Sequence, residues 1–231
     1  MLAPTLPEKI AAPSRILCPK KIVALGDSLV YGYGDPDGGG WVERLRREWM
    51  KLDNAGPVMY NLGIRGDGVQ SVARRLEQEF RTRGELRNRV PDLIVLSVGV
   101  NDSACLGRPD GRNYTNFEQF QLQLAALLNQ AQQLCPVVFV GMPPVNEAKM
   151  PFSEVFYYSH HQQYRYKEAT RLACEKRGVP YLDIFSSWLS QGDGWCQSRL
   201  YADGLHPNSL GYQTLLQDVL NWNEFCSAIE A

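Results

Sequence analysis

The sequence has no Cys-x-x-Cys pair, and its six cysteines (Cys18, Cys105, Cys135, Cys174, Cys196, Cys226) are scattered. Zinc ribbons and thioredoxin-type redox motifs are therefore unsupported, and such cysteines read as small buried hydrophobes. No stretch approaches the roughly 18 consecutive apolar residues of a membrane span, so stable membrane insertion is not expected. An excess of either charge is missing too: Lys plus Arg total 24 and Asp plus Glu total 25. Without a global basic field, nucleic acid is a poor partner. The local clusters Arg44, Arg46, Arg47 and Arg81, Arg83, Arg87, Arg89 read as solvated helix faces. The first 20 residues lack the charged start and apolar core of a signal peptide. They carry Pro4, Pro7, Pro13 and Pro19, which predicts an irregular arm over 1–20 and a cytoplasmic location by default.

Phosphate-binding signatures are also absent. No Lys-Ser/Thr follows the glycine cluster 38–40, so it is not a phosphate loop. Gly32-x-Gly34 lacks the third glycine of a dinucleotide fingerprint. The loop after residue 26 has few hydroxyls to hold a flavin phosphate.

What is present is a repeated alternation. Short apolar runs at 22–25, 58–62, 93–98, 137–140 and 179–184 read as strands. Between and after them, apolar residues recur at helical spacing over 41–52, from 69 to about 80, 116–134, about 160–176 and 210–225. The second helix puts Val69, Val72, Ala73, Leu76 and Phe80 on one face, with Arg74, Arg75, Glu77 and Glu79 outside. Pro180 points to an edge position for the fifth strand, and Ser209 offers a cap for the last helix. With no break in composition, the pattern predicts one α/β domain over 21–231: a parallel sheet with helices on both faces.

In such a sheet the turns after the strands share one edge, where active sites form. Those turns carry Ser28, Gly66, Asn101 and the pair Asp203/His206. A serine hydroxyl needs a base. Of only three histidines, His160 and His161 adjoin at a helix start and read as structural or surface. His206 follows Asp203 by three residues, a spacing that lets the carboxylate orient the imidazole toward Ser28. The Ser28 N–H, the Gly66 N–H and the Asn101 amide can supply donors for an oxyanion.

Four blocks along the chain resemble the SGNH hydrolases, also called the GDSL lipase/esterase family. They are Gly26-Asp27-Ser28-Leu29, Asn61-Leu62-Gly63-Ile64-Arg65-Gly66, Gly99-Val100-Asn101-Asp102 and Asp203-Gly204-Leu205-His206-Pro207. The resemblance implies a flavodoxin-like three-layer α/β/α sandwich with five parallel strands. It implies a serine esterase hydrolysing small carboxylic esters or thioesters through an acyl-serine, with no metal and no cofactor. Ser28, Asp203 and His206 would be catalytic, and Ser28, Gly66 and Asn101 would form the oxyanion hole.

Arg65 is less standard. It is a surface charge, or it crowds the hole or binds an acidic substrate group, or its own N–H replaces that of Gly66. Asp27 reads as a hydrogen-bond partner of loop backbone, Asp102 as a turn or supporting group, and Asp183 as a distant competitor of Asp203. Phe152 and Phe156, in the aromatic segment 145–160, either wall a substrate pocket or belong to the core. The rival activities are carbohydrate O-deacetylase and lysophospholipase or thioesterase; the rival class is a catalytically silent binding module. Acyl group, alcohol and oligomeric state are not encoded legibly.

Overall fold

Strands with no polar face must be covered on both sides, and the layers here do that. The structure, a computed structural model, describes residues 20–51, 56–83 and 90–230. The arm over 1–19 with Cys18, the helix position Leu52, and Arg87 and Arg89 lie outside the described residues. Strands β1 (Lys21–Gly26), β2 (Val58–Gly63), β3 (Leu93–Ser97), β5 (Val137–Val140) and β7 (Tyr181–Leu182) form one parallel sheet in the order β2-β1-β3-β5-β7. Two further strands, β4 (Cys105–Leu106) and β6 (Phe156–Tyr157), pair antiparallel outside it. At two residues each they are too short to show a period.

Alternate strand residues feed two cores. Val23, Leu25, Ile94, Leu96 and Phe139 face helices α3 (Val69–Thr82), α4 (Phe117–Gln132) and α5 (His160–Glu175). Ile22, Ala24, Val95, Val138 and Val140 face α2 (Gly40–Met50), α6 (Ile184–Leu189) and α8 (Ser209–Leu220), in a layer that also takes Cys196 of the short α7 (Asp193–Gln197). The result is a flavodoxin-like three-layer α/β/α sandwich. Its strand order reverses at β1 and β3, so a crevice opens beyond their C-terminal ends. Among the described residues, no helix is long and apolar enough to cross a membrane. Cys105, Cys135, Cys174, Cys196 and Cys226 are all free thiols.

Four local details differ from the sequence pattern. The fifth strand lies at the edge, as Pro180 requires, but spans two residues only. It is cut off because Asp183 at once caps α6, accepting from the Ser186 N–H. The last helix is two: α8 stops at Leu220 and α9 (Asn223–Glu230) starts after Trp222 turns into the core. Asn208, not Ser209, caps α8 by accepting from the Gly211 N–H at 2.9 Å. Arg75 turns inward rather than to solvent, its side chain only 15 % exposed.

Ser209 has another task. Its hydroxyl lies 2.7 Å from Asp35 Oδ1 and 2.9 Å from Asp37 Oδ2. Asp35 is buried and also accepts from the N–H groups of Gly38 and Gly40 and from two Arg44 nitrogens. One carboxylate thereby joins the glycine-rich loop to α2 and α8. Burial opposes its charge, but Arg44, Ser209 and the two N–H groups overcome this and hold its pKa far below the ordinary carboxylate range. Asp35→Asn is expected to cost about 3 kcal/mol at neutral pH, because it strands Arg44. A depressed folded pKa gives stability that is full above the unfolded value of about 4 and is lost as pH falls below it. Denaturant unfolding of wild type and variant should therefore give a constant difference above pH 5 or so and a shrinking one in acid; a difference independent of pH would refute this.

Candidate active site

The site begins where β1 ends. Gly26 lies in register with Gly63 on one side and Ser97 on the other. Its approach is so close that a Cβ there would run into the Ser97 carbonyl. The chain then enters a one-turn helix, α1 (Ser28–Tyr31), capped by Asp27, whose Oδ1 accepts from the Leu29 N–H at 2.9 Å. Ser28 is thus the first helical residue, buried, at the crevice. Among the described residues its N–H has no protein acceptor.

The loop 203–206 meets it from the other end of the chain. Asp203 Oδ1 accepts from the N–H groups of Leu205 and His206, at 2.9 and 3.0 Å. Its Oδ2 lies 2.8 Å from His206 Nδ1, so that nitrogen carries the proton. Nε2 is then the acceptor for the Ser28 hydroxyl, at 2.8 Å. Burial raises the Asp203 pKa, but the hydrogen bonds from His206 and the two backbone N–H groups outweigh this and keep it below the ordinary range. The rings of Tyr33 and Phe152 meet the imidazole edge-on, with centroids 4.6 and 5.6 Å away.

A β-turn after β2 forms the third side. The Asp67 N–H donates to Ile64 O at 3.2 Å, and Gly66 adopts φ +83°, a region that favours glycine. The N–H groups of Arg65 and Gly66 find no protein acceptor among the described residues. Arg75 fastens this turn to the sheet: it donates to Asp67 Oδ2, Leu62 O and Gly26 O at 2.8, 2.8 and 2.9 Å. Asn101 follows β3. Its Nδ2 donates to Asp67 O at 2.9 Å and its Oδ1 accepts from the Tyr158 hydroxyl at 3.2 Å. These two partners fix which way the amide faces and leave it one N–H.

Ser28, Gly66, Asn101 and His206 line a cavity of about 410 Å³, with Arg65, Tyr114, Phe152, Phe156, Tyr158 and Leu205 as its other walls. Phe152 and Phe156 therefore reach the site. Arg65 stands exposed at the rim, its guanidinium carbon 4.0 Å from the Tyr33 ring centroid.

The bland readings of the other candidates hold. Asp183 pairs with Lys167 at 2.8 Å and stays out of the site. His160 Nε2 donates to Val145 O at 2.7 Å, and His161 is exposed. Asp102 accepts from the Val69 N–H and the Thr115 hydroxyl, at 3.0 and 2.6 Å, bracing the start of α3. Tyr158 belongs to the aromatic segment 145–160 and reaches the cavity wall, whereas the pattern does not single out Tyr33 or Arg75 for the site. Arg75 follows Val72 by three residues, so it flanks the apolar stripe, and a long side chain there can reach inward.

Residues 24–214 match the family model described as the GDSL-like Lipase/Acylhydrolase family. The chain belongs to this family. It is 24 % identical over 138 residues to a GDSL esterase/lipase, CPRD49, of Arabidopsis thaliana, a match covering 56 % of this chain and 53 % of that protein. The chain spans about half the length of that curated relative. The crystal structure of a lipase/acylhydrolase from Enterococcus faecalis superposes with a TM-score of 0.68 at 22 % identity, covering 87 % of this chain and 93 % of the other. The psychrotrophic esterase EstA from Pseudoalteromonas sp., in a structure inhibited by monoethylphosphonate, gives 0.62 at 19 % identity, covering 89 % and 97 %.

Within this GDSL-like chain, the family motif's acid has an unusual setting. Asp27 is fully buried, and its Oδ2 has no hydrogen-bond partner among the described residues. Burial first, then the charges of Asp102 and Asp67, raise its pKa from 3.8 to about 7, against the pull of the Leu29 N–H. A carboxyl whose pKa is raised by folding loses stability as pH climbs from the unfolded value to the folded one. From pH 4 to 7 the wild type should therefore lose about 1 kcal/mol per pH unit relative to Asp27→Asn, which keeps an acceptor for Leu29. Parallel stability curves for the two proteins over that range would refute the assignment.

Proposed function

We propose that the chain is a serine esterase acting on small carboxylic esters or thioesters through an acyl-serine. One observation carries this reading: the Asp203–His206–Ser28 hydrogen-bonded chain ends in a cavity beside the N–H groups of Ser28, Arg65 and Gly66 and one N–H of Asn101, which have no acceptor among the described residues. Ser28 Oγ attacks the ester carbonyl while its proton passes to His206 Nε2. Asp203 stabilises the imidazolium so formed. The Ser28 N–H, the Gly66 N–H and the free Asn101 N–H receive the oxyanion. Its collapse expels the alcohol, which takes the proton from His206. Water, deprotonated by the same imidazole, then releases the acid and restores Ser28.

The aromatic walls Phe152, Phe156 and Tyr158 suit an apolar acyl or aryl group. A second reading, a carbohydrate O-deacetylase, draws on a neighbouring hollow of about 250 Å³. That hollow shares Tyr114 with the cavity and is lined by Gln70, Ser71, Thr115, Gln119 and Gln123, side chains suited to hydroxyls.

Ser28→Ala should lower turnover of 4-nitrophenyl butyrate by about 10⁴-fold or more with the fold intact. Asn101→Ala should lower kcat by about 10²- to 10³-fold. A fluorophosphonate should add to wild type at Ser28, read by peptide mass, and not to Ser28→Ala. Undiminished hydrolysis by the Ser28 variant would end the proposal.

A further inference from the structure

Arg65 is the cation that this fold leaves without a counterion beside the reacting groups. Arg44, Arg75 and Arg171 are matched with Asp35, Asp67 and Glu168. Among the described residues Arg47, Arg74 and Arg165 form no ion pair either, but they lie away from the cavity that Arg65 lines. Among the described residues Arg65 makes no ion pair and no hydrogen bond, although its turn contains Asp67, whose carboxylate is held by Arg75. Among the described residues no Asp or Glu lines the cavity, and Arg65 is the one Lys or Arg in its lining. The guanidinium is nonetheless held in place, packed on the face of Tyr33, a contact that favours arginine and leaves its N–H edge free. Tyr33 also touches the His206 ring, so one aromatic ring bridges the guanidinium and the imidazole.

We infer that Arg65 selects substrates, and that the esters this site prefers carry a carboxylate. The inference rests on the esterase reading above. A guanidinium presents paired donors that match a carboxylate in its plane. A single cation in the lining suits one negative charge, whereas a phosphate dianion calls for a second cation, and the described residues of the lining include none. The apolar part of such a substrate would lie against Phe152 and Phe156, with the ester carbonyl between them and the turn that carries Arg65. The rim is open to water, so the Arg65 side chain is accessible to an incoming anion.

The test compares kcat/KM within matched pairs of esters. In one pair the charge is on the acyl side: the mono-4-nitrophenyl ester of adipic acid and its methyl diester. In the other it is on the alcohol side: 4-acetoxybenzoate and its methyl ester. The ratio of charged to neutral ester is measured for wild type, Arg65→Gln and Arg65→Lys, which cancels any general loss of activity and the intrinsic reactivity of each ester. In at least one pair the ratio should fall about tenfold in Arg65→Gln and recover in part in Arg65→Lys. The wild-type ratio in that pair should also fall with added salt, while that of Arg65→Gln should not. The pair that responds tells which side of the ester Arg65 reads. Equal ratios for wild type and Arg65→Gln in both pairs, with the neutral esters hydrolysed, would overturn the inference and leave the esterase reading standing. If wild type hydrolyses none of the four esters and takes no fluorophosphonate, the esterase reading falls and this inference with it.

Discussion

Parallel register is the constraint on which the rest depends. Gly26, Gly63 and Ser97 lie in one row across β2, β1 and β3. From that row Ser28, Gly66 and Asn101 follow within two, three and four residues. The row can be this tight only because Gly26 has no side chain to meet the Ser97 carbonyl. Slippage of one residue in β1 would move Ser28 away from the turn and turn its apolar residues to the wrong layer. The position of the site and the packing of the core are therefore set by the same pairing.

Around that row, two buried carboxylates and a half-buried one are kept in different states by what surrounds them. Asp35 has a guanidinium, a hydroxyl and two N–H groups, and its charge is strongly favoured. Asp203 has His206 and two N–H groups, and it too stays charged. Asp27 has one N–H and two neighbouring acids, and its charge is disfavoured. Burial acts in the same direction on all three, so the partners decide the outcome. An ionised Asp203 is what an imidazole needs in order to become a cation.

Much of this was legible in the sequence because it depends on local spacing. The glycines and acids at strand ends, the three-residue step from Asp203 to His206, and the apolar strand runs all signal through neighbours in the chain. Elements that depend on distant contacts were not legible. Arg75 has a helical period that assigns it to the surface, yet two carbonyls at the ends of β1 and β2 draw it inward. Asn208 and Ser209 are both good caps by residue type. Asp35, far away in sequence, engages the Ser209 hydroxyl, and Asn208 takes the cap. Phe152 and Phe156 had two readings in the sequence. Phe156 is placed by its pairing with Leu106 in the β4–β6 ladder, and Phe152, which meets the imidazole, by its bridge to Phe156; neither pairing leaves a periodic trace.

The proposed oxyanion donors are the N–H groups that the local network leaves over. Asp27 takes the Leu29 N–H and leaves that of Ser28. Ile64 O takes the Asp67 N–H and leaves that of Gly66. Asp67 O takes one N–H of Asn101, Tyr158 holds its oxygen, and one N–H remains. Each neighbour is satisfied, so none can move to cover the free donor without breaking a bond of its own. Donors fixed in this way need little reorganisation when negative charge develops nearby, which is where electrostatic catalysis gains most. Arg75 and Asp67, although outside the cavity, are the groups that keep the turn and Asn101 in this arrangement.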